Sequence, residues 1–292
     1  LIMNLVVLLL GSTALIAKVV TIPSLQLTWL RMMIASFCLF PFYFFTSRIK
    51  ISRSFFLILL NGIIIALHWI AFFYAVKIST ISLTLIILSS APFFTSLFDS
   101  FFYKRSINFH HLISGFFLLI GMVFIFRDTR GFLLEGSFFA LIAAVGQALF
   151  TVINSRLIKK YSTFNLVFYE LLSGFIFLSC FIFSFVGLSW KPVVIDLNVI
   201  FLVFFLSVIC TVLCYFLSIW ALNGMSAFTS NLIVNLEPFY GSYLAFLFLG
   251  QDELLPKDIL LGVFFVVLCI LYNFFIKLYK IHRYKKLENI TS

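Results

Sequence analysis

The sequence predicts an all-α integral membrane protein: ten transmembrane helices in two inverted five-helix repeats, with both termini in the cytoplasm. Three observations lead there. The 292 residues are 63% hydrophobic and only 10% charged. The apolar residues gather in runs long enough to cross a bilayer. The second half of the chain then repeats a residue pattern of the first.

Composition identifies the solvent. A soluble domain carries about a quarter charged residues, and at a mean hydropathy of +1.19 too little polar surface remains to cover a globule in water. Lipid therefore surrounds most of the chain. One helix needs about 20 apolar residues to span the hydrocarbon core, so ten take about 200. Short connections are left over, and no room for a soluble domain. The sequence starts at Leu1 without an initiator Met, so a few residues are expected to precede it. The first apolar run has a counterpart in the second half and is not read as a cleaved signal peptide.

Spans are expected near 1–20, 25–46, 54–76, 80–102, 109–126, 133–156, 164–187, 197–221, 227–249 and 258–279. Turn residues or charges interrupt the runs, as at Ile22-Pro23-Ser24, Trp190-Lys191-Pro192 and Asn223-Gly224. The five cysteines all fall inside spans. Cys210 and Cys214 lie one helical turn apart, but nothing nearby completes a metal set, and all five are read as small apolar contact residues.

A net charge of +10 often signals nucleic acid, but here its distribution decides. Thirteen of the twenty basic residues, from Arg48, Lys50 and Arg53 to Lys285 and Lys286, fall in loops 2–3, 4–5 and 6–7 and the C-terminal tail. The opposite loops collect Asp128, Glu135, Asp196, Asp252, Glu253 and Asp258. The positive-inside rule places both termini in the cytoplasm, as an even number of spans requires. No nucleic-acid partner is needed to explain the basic tail.

The repeat is the most informative feature. The run Thr84-Leu85-Ile86-Ile87-Leu88-Ser89-Ser90-Ala91-Pro92-Phe93-Phe94 in the fourth span is matched by Ser230-Asn231-Leu232-Ile233-Val234-Asn235-Leu236-Glu237-Pro238-Phe239-Tyr240 in the ninth. At the same offset Tyr74-Ala75-Val76-Lys77 meets Trp220-Ala221-Leu222-Asn223, and Gly115 falls almost opposite Gly262. Pairing the second and seventh spans sets Arg31 opposite Glu170. The halves are expected at 1–127 and 128–280, with 281–292 a basic cytoplasmic tail. Five spans per half is an odd number, so the second copy enters the membrane upside down, the plan of many secondary transporters.

This unit, with its proline in the fourth and ninth spans, resembles the EamA family of the drug/metabolite transporter superfamily. Leu236-Glu237-Pro238-Phe239 through Phe248-Leu249-Gly250-Gln251, followed by Gly262, is similar to the family pattern of Pro, then Leu-Gly-Glu, then Gly. Gln251 stands where the family usually has Glu, and Phe102-Tyr103-Lys104-Arg105 departs further. The stretch from Ala66-Leu67-His68-Trp69 to Lys77 resembles the family's third helix. The resemblance implies a central cavity lined by spans 1–4 and 6–9, with spans 5 and 10 peripheral. It also implies small organic cargo, such as amino acids, related metabolites or nucleosides, often moved outward.

Ionisable groups at mid-membrane cost about 2.5–3.5 kcal/mol each by insertion scales and so mark functional sites by default. Arg31 suits a substrate carboxylate or phosphate, and Glu170 an amine or a proton; a structural ion pair is the other reading of each. Glu237 precedes Pro238, where the proline opens backbone polar groups to the site. Asn231 and Asn235, one turn apart, join Glu237 in an expected polar wall, and Ser89 and Ser90 beside Pro92 form its equivalent. Pro92 and Pro238 are the expected hinge or kink positions. His68 titrates near neutral pH in water and could couple transport to protons. Trp69, Tyr215 and Trp220 could stack on a planar solute, and of the two polar residues of the sixth span, Gln147 and Asn154, Gln147 is the better cavity candidate. The expected binding set is therefore Arg31, His68, Trp69, Ser90, Gln147, Glu170, Tyr215, Trp220, Asn231, Asn235 and Glu237. Gly11 with Ser12, and Gly174 with Ser173, are expected where helices approach closely.

No phosphate loop, metal set or Ser-His-Asp arrangement is present in the sequence, so neither an enzyme nor a cofactor is expected. A channel is disfavoured because no filter-like loop appears. The expected function is alternating-access transport of a small organic metabolite, an amino acid or a relative, out of a bacterial cytoplasm through the inner membrane. The alternative is a nucleotide, sugar-phosphate or cofactor carrier, in which Arg31 and Lys77 bind phosphate. Oligomeric state is not legible in the sequence.

Overall fold

The structure is a computed structural model that describes residues 2–43, 52–103, 132–186 and 196–250, with individual helical positions within 113–124 and 261–276. Residues 104–108 and 251–257, Gly115, Gly262 and the 281–292 tail lie outside the described residues, as does most of the fifth and tenth expected spans. Every described element is helical. They are α1 (Ile2–Val19), α2 (Ser24–Tyr43), α3 (Arg53–Ile78), α4 (Ile81–Leu88), α5 (Ala91–Tyr103), α6 (Phe132–Leu157), α7 (Thr163–Phe181), α8 (Leu197–Ser207), α9 (Cys214–Ala221), α10 (Ala227–Val234) and α11 (Glu237–Leu249). Among the described residues they make eight helices long and apolar enough to cross a membrane.

Two expected spans prove to be broken in the same way. The fourth is α4 then α5, and the ninth is α10 then α11. The pieces match in length, 8 residues then 13 in each. They also match residue for residue at the offset of the sequence repeat: Ile81 with Ala227, Leu88 with Val234, Ala91 with Glu237 and Tyr103 with Leu249. Each pair opens on a hydroxyl cap, where Thr80 Oγ1 accepts from Leu83 N at 3.1 Å and Ser226 Oγ accepts from Thr229 N at 3.2 Å. The first pieces end at Ser89 (φ −63°, ψ −3°) and Asn235 (φ −61°, ψ −3°). The cause is Pro92 and Pro238, which lack an N–H and clash with the carbonyl four residues back.

The eighth expected span is interrupted differently. Val208–Leu213 is a π-helical stretch between α8 and α9. A second one, Ile182–Val186, continues α7.

Packing follows the polarity expected in lipid. Phe183 and Phe101 are 84% and 78% exposed on the outer surface, whereas Arg31, Glu170 and Glu237 are 2%, 0% and 4% exposed. α1 packs on α11 as α6 packs on α5, and α4 meets α11 as α10 meets α5. α2 crosses α8, α7 crosses α3, and α2 and α7 pack on each other. The last two run antiparallel: Trp29, near the start of α2, donates to Ser179 Oγ near the end of α7 at 2.9 Å, and Tyr43 at the other end stacks on Phe168 at 5.2 Å.

The close approaches fall on glycines, two of them expected. An added Cβ at Gly11 would meet Gly241 N at 3.0 Å, and one at Gly174 would meet the Gly62 carbonyl at 2.8 Å. At Gly62 a Cβ would overlap Ser173 Oγ and the Glu170 carbonyl, so α3 and α7 cross there backbone to backbone.

The loops group at two ends of the bundle. Ser52 and Tyr161 are hydrogen-bonded at 2.9 Å, Lys160 donates to Ser54 at 3.3 Å, and Arg156 donates to the Phe102 carbonyl. At the other end, Lys18 donates to the Val76 carbonyl at 2.9 Å and to that of Ser79, while Lys77 donates to the Val20 carbonyl. Each lysine thus caps the C-terminus of the other's helix, where the helix dipole is negative.

Candidate functional site

One cavity opens where α1, α2, α3, α6, the π-helical stretch, α9, α10 and the start of α11 converge, and about 90 Å³ of it admits the centres of water-sized spheres. That is room for several waters or part of a small solute. Its floor and walls are mixed. Phe72, Trp69, Phe150 and Tyr215 supply aromatic surface, and Arg31, His68, Gln147, Thr151, Asn154, Asn231 and Glu237 supply polar groups.

Seven of the expected residues line this cavity: Arg31, His68, Trp69, Gln147, Tyr215, Asn231 and Glu237. Four do not. Glu170 is fully buried behind the wall. Ser90 is fully buried, and its Oγ has no partner among the described residues. Asn235 is buried at the C-cap of α10, where its N–H still donates to the Asn231 carbonyl at 3.2 Å; it stands one turn after Asn231 as expected, but it is not among the residues that line the cavity. Trp220 is 48% exposed on the outer surface. Pro92 and Pro238 sit at the breaks, as expected of kinks.

Arg31 reaches from α2 into the π-helical stretch. Its Nε donates to Thr211 Oγ1, and its Nη2 donates to the Cys210 carbonyl at 3.2 Å. The guanidinium lies over the Trp69 ring at 3.9 Å from the centroid, a cation–π contact worth about 2 kcal/mol or more when desolvated. Trp69 in turn meets Tyr215 edge-on at 6.2 Å.

Glu170 is held by three donors. Tyr215 Oη donates to Oε2 at 2.5 Å, Asn154 Nδ2 donates to the same oxygen at 3.3 Å, and Asn61 Nδ2 donates to Oε1 at 2.8 Å. Asn154 also donates to Tyr215 Oη at 3.1 Å. The network ties α3, α6, α7 and α9 together directly behind the cavity wall. Arg31 and Glu170 do not pair with each other.

Glu237 is the contrast. It is 4% exposed, it lines the cavity, and among the described residues no hydrogen bond or ion pair reaches its carboxylate. A carboxylate removed from bulk water without a partner is costly. An incoming cation or N–H donor would offset that cost.

His68 turns its Nδ1 to the Ala143 carbonyl at 2.7 Å, so that nitrogen carries the hydrogen. Across the cavity Asn231 Nδ2 donates to Thr95 Oγ1 at 2.7 Å, while Gln147 and Thr151 both donate to its Oδ1 at 3.4 Å. Asn61, Thr151 and Thr211 were not singled out from sequence, and Asn154 was placed below Gln147 as a cavity candidate. The available signal was Asn61 and Asn154 themselves, amides within apolar runs that need partners.

The EamA-like transporter family matches residues 1–127 and 134–275. The chain belongs to that family. Among relatives of this EamA-like chain, an uncharacterized transporter of Clostridium kluyveri is 25% identical over 230 residues, 75% of this chain and 71% of that protein. An S-adenosylmethionine uptake transporter of Rickettsia felis is 26% identical over 150 residues, covering 50% of each chain. This EamA-like chain thus spans about half the length of that relative. A crystallised protein superposes at a TM-score of 0.65 with 15% identity, covering 93% of this chain and 95% of its own, and shares the fold.

Proposed function

We propose that the chain is an alternating-access transporter of a small organic metabolite bearing an amino-acid group, built from inverted halves at 1–127 and 128–280 in a bacterial inner membrane. The observation that carries this reading is Glu237: a buried carboxylate without a partner, on a cavity wall built from both halves. Such a group fits a cationic solute better than a permanent structural role. The matched breaks at Ser89 and Asn235, the antiparallel α2 and α7 and the exchanged packing pairs support the inverted repeat. The grouping of Ser52, Arg156, Lys160 and Tyr161 at one end supports a common side for those loops, the cytoplasmic one by charge. Alternating access then consists of rocking one half against the other around the cavity. Export is the direction that the family resemblance favours.

A second reading is an adenosylated amino acid as the cargo, taken inward. The likeness to the Rickettsia felis S-adenosylmethionine uptake transporter favours it, as does the aromatic surface of Phe72, Phe150 and Tyr215. A phosphate carrier has less support. Lys77, its second expected ligand, donates to the Val20 carbonyl at the end of α1 rather than lining the cavity.

The test is counterflow into proteoliposomes of purified protein, with labelled methionine and S-adenosylmethionine competed by other amino acids and by phosphorylated solutes. Flux above empty vesicles that Glu237→Gln removes supports the reading. Flux that Glu237→Gln leaves intact would remove Glu237 from the site, and absence of flux for every solute overturns the proposal. Comparing rates with and without an imposed pH gradient tests proton coupling.

A further inference from the structure

Arg31 is fixed on its side edge and on one face, which leaves a single edge unused. In a π-helical stretch the backbone N–H groups skip a carbonyl. Here the Cys214 N–H donates to the Ile209 and Thr211 carbonyls and passes over the Cys210 carbonyl four residues back. Arg31 Nη2 takes that carbonyl at 3.2 Å. Beside it, the Thr211 hydroxyl commits its hydrogen to the Leu206 carbonyl at 2.7 Å, so its oxygen is turned to accept from Arg31 Nε. Nε and Nη2 form one edge of the planar guanidinium, and both are now used. Trp69 covers a face at 3.9 Å. The remaining edge runs from Nη2 to Nη1, and Nη1 is buried with no partner among the described residues.

We infer that this remaining edge of Arg31 is the receptor for a carboxylate of the solute, and that Thr211 and the Cys210 carbonyl are the seat that aims it. Thr211 is a positioning residue: it acts on the solute only through Arg31. A guanidinium edge offers two parallel N–H groups matched to the two oxygens of a planar carboxylate. Among the described residues no second cation lines the cavity to help neutralise a phosphate dianion. Nη1 is sealed from water as the cavity stands, so the solute reaches it only when the cavity side chains move to admit the carboxylate. A buried donor left unmade is unfavourable, and the carboxylate satisfies it.

This inference rests on the proposed transport site, so its test reads binding rather than flux. Methionine and its amide, methioninamide, differ only at the group that Arg31 would hold. Binding of each is measured on the purified full-length protein in detergent, with no gradient. The wild-type protein is expected to prefer methionine by about tenfold or more, as loss of a charge-assisted pair implies. Thr211→Val keeps the shape but removes the acceptor for Nε. It is expected to collapse the preference to within about threefold with methioninamide affinity kept, and to lower the melting midpoint because Nε loses its acceptor; Thr211→Ser, which keeps the hydroxyl, is expected to restore both. Equal binding of the two probes by the wild-type protein, no binding of either, or an unchanged preference in Thr211→Val overturns the inference. Discrimination without any flux in proteoliposomes overturns the transport reading instead and leaves this one standing.

Discussion

Tyr215 donates its hydroxyl to the Glu170 carboxylate at 2.5 Å, so a side chain that faces the cavity is held in place by one that never reaches it. Glu170 comes from α7 and Tyr215 from α9, and the same carboxylate is bonded by Asn61 of α3 and Asn154 of α6. Four helices therefore meet at one buried group, and the aromatic wall of the cavity rests on it.

The two ends of that bond respond differently to substitution. Tyr215→Phe takes away the shortest donor and leaves Oε2 with Asn154 alone at 3.3 Å. A buried acceptor left short of partners costs about 1–3 kcal/mol, so the melting midpoint in detergent is expected to fall clearly. Glu170→Gln is gentler. Its new NH₂ gains an acceptor when the Asn61 or Asn154 amide flips about its last bond, since Asn61 Oδ1 and Asn154 Oδ1 have no partner among the described residues. Its stability is expected to stay within about 0.5 kcal/mol of the wild type. A Glu170→Gln protein that melts below Tyr215→Phe would show that the carboxylate is held by something other than these donors.

Glu237 shows the reverse behaviour. Its carboxylate has no partner to lose, so Glu237→Gln is expected to leave the melting midpoint level or raised, because an unpaired buried charge is unfavourable. Transport is expected to fall by about tenfold or more, as for a lost charge-assisted contact. Stability and flux measured on the same preparation check both halves of this expectation. A loss of both together would mark Glu237 as structural.

Helix contacts give a sharper steric expectation. At Gly62 an added methyl group meets backbone, the Glu170 carbonyl, which cannot swing aside. Gly62→Ala is expected to cost about 1–3 kcal/mol, the usual range for overpacking. Gly224 is the control, since its nearest neighbour would be the Ala221 carbonyl at 4.0 Å. Gly224→Ala should melt with the wild type, and equal losses at the two sites would show that α3 and α7 are not in backbone contact.

Sequence reading reached the fold through features that act locally. Apolar run length marked the spans, and Pro92 and Pro238 marked equivalent positions in the two halves. Arg31 and Glu237, which line the cavity, were legible because charge inside an apolar run is conspicuous. Partners chosen by tertiary packing were not legible. Glu170 looks like Arg31 in sequence, but Asn61 and Asn154 satisfy it behind the wall. Asn235 follows Asn231 by one turn as its periodicity requires, but it closes α10 as its C-cap and is not among the residues that line the cavity. Trp220, a plausible stacking ring by type, faces outward at 48% exposure. The π-helical stretch left no composition signal, because Val, Ile, Cys, Thr and Leu are ordinary in any span, and Thr211 was missed with it.

The two breaks have a functional expectation of their own. Proline is disfavoured inside a helix by about 3 kcal/mol, and here it sits at the second residue of both α5 and α11, where no internal bond is lost. Replacing both, Pro92→Ala with Pro238→Ala, lets an N–H form at each break and favours one continuous helix from Ile81 and from Ala227. The polar backbone around Ser89 and Asn235 would then be tied up, and the pieces could no longer tilt against each other. Alanine is also the best helix former, so the double variant is expected to melt at or above the wild type. Its flux in counterflow should drop while the preference for methionine over methioninamide is kept, because Arg31 and its seat lie on α2 and the π-helical stretch, away from both breaks. If the double variant transports at the wild-type rate, the breaks only shape the helices and the movement between access states lies elsewhere.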